Sequence, residues 1–389
     1  MKKNNSPFKR KKICMVVGAR PNFMKMSPLY KILTNAIGTK HSNRNQILYD
    51  IKVINTRQHH DKEMSDFFIN LFRIECTCPK FTLSSDLNDQ VCQIVNFVKV
   101  ELYNYKPSLV ILFGDVRSSF AAAIAAYNLN IPIAHVESGL RCFINDMPEE
   151  INRRIIDIYS KYHFTTEKCA MDNLINEKIV KVDNIDKTCF NVGNTMIDTL
   201  IEFKQLFIES PFILSLKFPD SSCPRFNEYI LVTIHRQSNL NEYQNLKVII
   251  YTLIKLSNKY KIIFPVHPRT KIIISDSFRG CDNILLINPV GYLEFMSMMY
   301  NSAILLCDSA GQSEESSYLG IHCITLRLET ERPITCEQGT NILISKFETE
   351  HIINLVDEYY GKRIYNVNID LWDGCASNRI SQHIENILF

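Results

Sequence analysis

Two carboxylates stand where apolar runs of strand length stop. Leu109–Phe113 leads into Gly114-Asp115, and Ile131–Val136 leads into Glu137-Ser138-Gly139, with an alanine-rich helical stretch between them. That pattern is a strand–helix–strand unit with an acid at the carboxyl end of each strand. In open parallel sheets ligands bind in the crevice outside those ends, so the two acids are placed for proton transfer. Asp115 alone would suit a helix N-cap equally well; two acids on successive strand ends favour the chemical role. Glu149 and Glu150 follow Pro148 at a predicted helix start. There an i,i+4 ion pair, Glu149 with Arg153 or Glu150 with Arg154, is the plainer structural use.

Cations and small residues mark the other strand ends. The apolar run Ile13–Val17 exits into Gly18-Ala19-Arg20, with Lys25 a turn further on. A strand, a glycine and a helix start make a favourable anion site, and no acid lies near these two cations in the sequence. In the second half, Ile230–Ile234 runs into His235-Arg236, where a histidine serves proton transfer or charge stabilisation, or else is a satisfied buried side chain. His267 ends the following run and reads as structural. The run Ala303–Cys307 enters Asp308-Ser309-Ala310-Gly311 and then a helix carrying Glu315. Small residues with free amides at a helix start suit a diphosphate, and an acid one turn inside the helix suits ribose hydroxyls. Tyr292 and Phe295 are placed either to flank a base or to fill the core.

Elements that could hold these residues recur along the chain. Strand-like runs are expected at 13–17, 49–55, 109–113, 131–136, 163–165, 189–192, 230–234, 261–266, 284–287, 303–307 and 322–326, with helical stretches between. The alternation predicts an α/β protein of two doubly wound, Rossmann-like parallel-sheet domains facing a central cleft. A length of 389 residues also favours two domains. The expected boundaries are 1–201 and 202–364, with a helix at about 365–389 returning to the first domain. The weakly periodic stretch 202–227, with Pro211, Pro219 and Pro224, reads as the connection. A net charge of +3 gives no support for nucleic-acid binding, and the basic N-terminus through Lys12 reads as a solvated tail. No apolar run is long enough to span a membrane. The 13 cysteines are odd in number and lack metal-site spacing, so reduced thiols, a cytoplasmic setting and no metal are expected. Neither GxGxxG nor a P-loop occurs, which argues against a dinucleotide cofactor or NTP hydrolysis; no cofactor is expected.

Taken in order, the motifs resemble a known family. GARPNFMKMSPL at 18–29, RQHHD at 57–61, HVESGLR at 135–141, PEEINRR at 148–154, VTIHR at 232–236, DSAGQSEESS at 308–317 and TERPITCEQGTN at 330–341 are similar to the non-hydrolysing UDP-N-acetylglucosamine 2-epimerases. The resemblance implies a GT-B-like fold, that of the B-type glycosyltransferases. It implies interconversion of UDP-GlcNAc and UDP-ManNAc through a 2-acetamidoglucal, in polysaccharide biosynthesis, by a homodimer. It gives catalytic roles to Asp115, Glu137, Glu149 and His235, which for Glu149 replaces the ion-pair reading. It places Arg20 and Lys25 near diphosphate and sugar, Ser309, Ala310, Gly311 and Glu315 on diphosphate and ribose, and Arg332 at the nucleotide; Phe295 is the aromatic candidate beside the base. In bacterial members a second UDP-GlcNAc acts allosterically, at the region that corresponds to Gln58, His59 and Arg236. Ala310 stands where the family commonly has glycine. A 2-epimerase of another UDP-2-acetamido sugar, 6-deoxy or L-configured, would keep the same motifs. A glycosyltransferase would not need Asp115 and Glu137, because transfer requires no base beside C2.

Overall fold

The computed structural model describes residues 10–35, 48–58, 69–70, 73–236, 239–240, 243–266 and 268–389. Two compact units are present, one of residues 1–199 with 370–389, the other of residues 200–369. Both are α/β, and every strand pairing in both sheets is parallel.

In the first unit β1 (Lys11–Val17) is followed by α1 (Arg20–Thr34), β2 (Tyr49–Asn55), β3 (Cys76–Thr77), α2 (Leu87–Tyr105), β4 (Leu109–Phe113) and α3 (Arg117–Asn128). Then come β5 (Ile133–Val136), α4 (Pro148–Tyr159), β6 (Tyr162–Thr165), α5 (Lys168–Asn176), β7 (Cys189–Asn191) and α6 (Thr195–Ile208), within which the chain passes into the second unit. The strand order is β3-β2-β1-β4-β5-β6-β7. The inner strands are apolar on both faces, as a sheet covered by helices on both sides requires. Helix α3 buries Ala121, Ala122, Ala123, Ala125 and Ala126, so its backbone lies close on the sheet. Helix α2 starts where Asp86 accepts the N–H groups of Asn88 and Asp89 at 2.9 and 3.0 Å.

The second unit contains β8 (Tyr229–Thr233), α7 (Tyr243–Ser257), β9 (Lys261–Pro265), β10 (Ile284–Ile287), α8 (Tyr292–Asn301), β11 (Ile304–Cys307), α9 (Ala310–Tyr318), β12 (Cys323–Thr325), β13 (Asn341–Leu343) and α10 (Thr349–Tyr359). Its order is β10-β9-β8-β11-β12-β13. The weakly periodic stretch 202–227 belongs to this unit. The chain then returns: α11 (Ala376–Leu388) packs on α1, and its first amides, Ala376 and Ser377, donate to Asp198 of α6 at 3.2 and 2.7 Å.

In each sheet the strand order reverses at one place, between β1 and β4 and between β8 and β11. Such a switch point is where a doubly wound sheet leaves room for a ligand at the carboxyl ends. Register brings the exits level: Val16 pairs with Leu112, Phe113 with Val136, and Thr233 with Cys307. Among the described residues, no helix is long and apolar enough to cross a membrane.

Candidate active site

At the first switch point Asp115 leaves β4 and Glu137 leaves the neighbouring β5. Asp115 does not cap α3, whose N-cap is Val116. Its carboxylate instead accepts from Arg153 of α4, Nε at 3.0 Å and Nη2 at 2.5 Å, while its carbonyl accepts from Asn152 at 2.9 Å. Glu137 is only 7% exposed and pairs with Lys25 of α1. Its backbone is left-handed, φ +73°, a conformation that costs a non-glycine residue about 1–2 kcal/mol. Beneath the pair lies Gly114, φ +59°, where an added Cβ would stand 2.9 Å from Lys25 Nζ and 3.1 Å from Glu137 Oε2.

The expectation of an acid-free anion site at β1's exit is corrected in two respects. Lys25 has an acidic neighbour, Glu137, brought from far along the chain by the sheet. The amides of Gly18 and Ala19 are occupied, because Asn22 Oδ1 accepts both at 3.4 and 3.2 Å while its Nδ2 donates to Phe113 O at 2.7 Å. Arg20 opens α1 and is half-buried.

Helix α4 separates the two adjacent glutamates. Glu150 is buried, 2.9 Å from Arg153 and 3.5 Å from Arg154, and accepts the amides of Cys142 and Phe143. Glu149 is exposed, and among the described residues its side chain takes part in no ion pair or hydrogen bond. The Glu149–Arg153 pair does not form; the Glu150–Arg154 pair does.

Under Glu137 is a buried polar network that sequence reading passes over. Asp157 of α4 receives His135 Nδ1 at 2.7 Å, Ser138 Oγ at 2.5 Å, Gly139 N–H at 3.2 Å and Arg141 Nη1 at 2.7 Å. Burial opposes ionisation of Asp157, but the hydrogen bond from His135 and the Arg141 guanidinium hold its carboxyl well below the usual range. His135 Nε2 lies 3.1 Å from the Gly114 carbonyl. His163, 2.9 Å from Ser138 Oγ, is pushed down by burial to about 4.

At the second switch point His235 follows β8 and Asp308 ends β11. His235 is 60% exposed at its side chain, and its Nδ1 lies 3.0 Å from Asp308. The buried Asp308 carboxylate also accepts the amides of His235, at 3.2 Å, and Arg236, at 2.9 Å, and the side chain of Asn239 at 3.1 Å. Burial raises the Asp308 carboxyl, and these bonds, led by that of His235, more than reverse the effect. The sequence carries a signal for this acid: Asp308 ends an apolar strand ahead of the small-residue loop.

That loop is built as a helix start. Ser309 is the N-cap position of α9 and Ala310 its first residue, so alanine meets no backbone restriction there. No atom comes within 4 Å of a Cβ placed on Gly311. The first amides of a helix lack internal acceptors and suit an anion. Glu315 is buried on α9 beside Glu314, which accepts from Arg332 Nε at 2.6 Å. Phe295 and Tyr292 are both buried, Tyr292 edge-on to Phe203 at 6.3 Å. Gln58 is engaged at the start of α3, accepting from Ser118 N–H and Oγ at 2.9 and 2.8 Å. Arg236 Nη2 reaches Glu331 at 3.9 Å. His59 and His267 lie outside the described residues, as does the basic tail before residue 10.

The family model described as UDP-N-acetylglucosamine 2-epimerase matches residues 41–385, which include the candidate residues of both switch points except Arg20 and Lys25. The chain belongs to this family. It is 35% identical over 384 residues, 97% of this chain and 100% of the relative, to a UDP-N-acetylglucosamine 2-epimerase homolog of Methanococcus maripaludis. It is 31% identical, with the same coverage, to the UDP-2,3-diacetamido-2,3-dideoxy-D-glucuronate 2-epimerase of Pseudomonas aeruginosa. The UDP-GlcNAc 2-epimerase of Methanocaldococcus jannaschii, solved with UDP-GlcNAc and UDP, superposes with a TM-score of 0.81 at 31% identity, covering 96% of this chain and 99% of that one. The fold is thus the GT-B-like pair of Rossmann-type domains that this family shares.

Proposed function

We propose that this protein is a non-hydrolysing UDP-GlcNAc 2-epimerase, interconverting UDP-GlcNAc and UDP-ManNAc. The observation that carries the reading is the pair of carboxylates at adjacent strand ends of one switch point, Asp115 and Glu137, in a chain of this family. The two sugars differ only at C2. A base removes the C2 proton while the C1–O bond breaks and UDP departs, leaving a 2-acetamidoglucal. UDP then adds back to C1, and an acid protonates C2 on the opposite face. Bases are needed on both sides of the ring, for which Asp115, Glu137 and the exposed Glu149 are the candidates, with His235 as a further acid–base group. Each of the two strand-end acids faces a cation, the partner that stabilises a carboxylate in its ionised form. Arg20 and Lys25 are assigned to diphosphate and sugar. The Ser309–Gly311 loop, Glu315, Phe295 and Arg332 are assigned to the nucleotide. Gln58, His59 and Arg236 are assigned to an allosteric UDP-GlcNAc. No redox cofactor enters this chemistry.

We further propose a homodimer working in the cytoplasm, in polysaccharide biosynthesis. Exposed Val100, Tyr103, Tyr127, Ile151 and Ile158 on the neighbouring helices α2, α3 and α4 support a self-association face. All thirteen cysteines are unpaired, as suits a reducing compartment.

The deciding experiment is NMR of the protein with UDP-GlcNAc in D₂O without added NAD. UDP-ManNAc should form with deuterium at C2. Product retaining its original hydrogen would rule out elimination. No conversion of UDP-GlcNAc alongside turnover of a different UDP-2-acetamido sugar would move the substrate assignment.

A further inference from the structure

We propose that Asp157 is a positioning residue that fixes the left-handed turn at Glu137 and thereby aims that carboxylate; the inference rests on the epimerase reading above. Four donors converge on this one fully buried carboxylate, and all four come from the segment 135–141 that surrounds Glu137. His135 lies two residues before Glu137, Ser138 one after, then Gly139 and Arg141. Asp157 therefore grips the chain on both sides of the one residue forced to φ +73°. A strained conformation persists only where its surroundings over-determine it, and here four of the hydrogen bonds around the turn converge on one side chain. Glu137 has its own amide bonded to Phe164 O at 2.9 Å, so the backbone is held from β6 as well.

The same helix face serves the second acid. Glu150, Arg153 and Asp157 are spaced i, i+3 and i+7, which puts them on one side of α4. Arg153 holds the Asp115 carboxylate, and Glu150 braces Arg153 at 2.9 Å. His135 links the two halves, with one ring nitrogen at Asp157 and the other at the carbonyl of Gly114, the residue before Asp115. Helix α4 thus acts as a jig for both strand-end acids, and Asp157 is its deepest contact.

Asp157→Asn keeps the volume but leaves one oxygen to accept where two did. We expect kcat for UDP-GlcNAc epimerisation to fall about 10²-fold, the scale of a misplacement near 1 Å. KM should stay within about threefold, since the binding groups are untouched. In a Glu137→Gln background, Asp157→Asn should cost less than about threefold more, because the group it positions is already gone. A purely structural residue would cost the same factor in both backgrounds; that result, or an unchanged kcat in the single variant, overturns the proposal. Should Asp157→Asn not fold, Ser138→Ala removes a single donor and enters the same cycle. If the wild-type protein does not epimerise UDP-GlcNAc at all, the functional reading fails by itself. The crystal structure of Asp157→Asn then decides the positioning claim: residue 137 leaving the left-handed region supports it, and residue 137 unmoved refutes it.

Discussion

Replacing Asp308 with Asn tests how the second unit presents His235. The carboxylate accepts from two backbone amides, from Asn239 and from His235 Nδ1. An asparagine can keep its oxygen toward Arg236 N–H and Asn239, and its NH₂ then faces His235 Nδ1. Those two retained bonds drop from charge-assisted to neutral, a loss of about 1 kcal/mol each. The contact to His235 adds little stability, because that side chain is 60% exposed. The expected destabilisation is about 2 kcal/mol, or roughly 4–8 °C in Tm for a unit of this size. The NH₂ also forces Nδ1 to accept, so the ring proton moves to Nε2 and the outer nitrogen changes from acceptor to donor. The kcat should fall by about 10² or more. The folded-state value of Asp308 lies below its unfolded value. Its stabilisation is therefore complete above the unfolded value of about 4 and is lost as pH falls through the folded value. Chemical denaturation of both proteins should show a gap that is present at about pH 5 and narrows as the pH falls below about 4. A gap that persists undiminished at pH 3, or a variant of normal stability and turnover, would refute this account.

Glu149→Gln should leave Tm within about 1 °C, because the side chain is exposed and unpaired among the described residues, while lowering kcat about 10²-fold; normal turnover would remove it from the acid–base set. Glu315→Ala should weaken UDP itself by about 1.5–3 kcal/mol in calorimetry if a charged hydrogen bond to ribose is lost; unchanged UDP affinity would move the nucleotide away from α9. Gly139→Ala should destabilise the first unit by more than about 2 kcal/mol, since its φ is +83° and the new Cβ would press into the carbonyl of Ala170; thermal melting of the purified variant measures it.

The sheets were largely legible because their inner strands are long unbroken apolar runs. The strands at 49–55, 109–113 and 284–287 begin and end where the residue pattern places them. Strands β3 and β13 carry no such signal: they are two and three residues long, each at an edge of its own sheet, and β13 opens on Asn341. Strand ends were legible as candidate sites because acid, glycine and histidine interrupt apolar runs there. What lay across the sheet was not. Lys25 and Glu137 are far apart in the chain, and only the β1-β4-β5 order brings them together. The glutamates at 149 and 150 are neighbours with the same chemistry, and helix phase alone turns one inward and the other out. Asp157 sits among isoleucines in an amphipathic stretch, so its four partners were invisible until the loop from 135 to 141 folded over it.

The return of residues 370–389 to the first unit has a consequence for synthesis. Helix α11 lies on α1, Phe389 meets Tyr49 at 6.1 Å between rings, and His383 stacks on Phe190 at 3.9 Å. A ribosome must therefore make all of residues 200–369 before the first unit can close, a wait of roughly 10–30 s at ordinary elongation rates. During that interval the surface that α11 will cover, and the Asp198 carboxylate that will accept its first amides, are open to other partners. The nascent first unit is in this sense an unfinished client for chaperones, and a chain stopped at residue 369 would remain one.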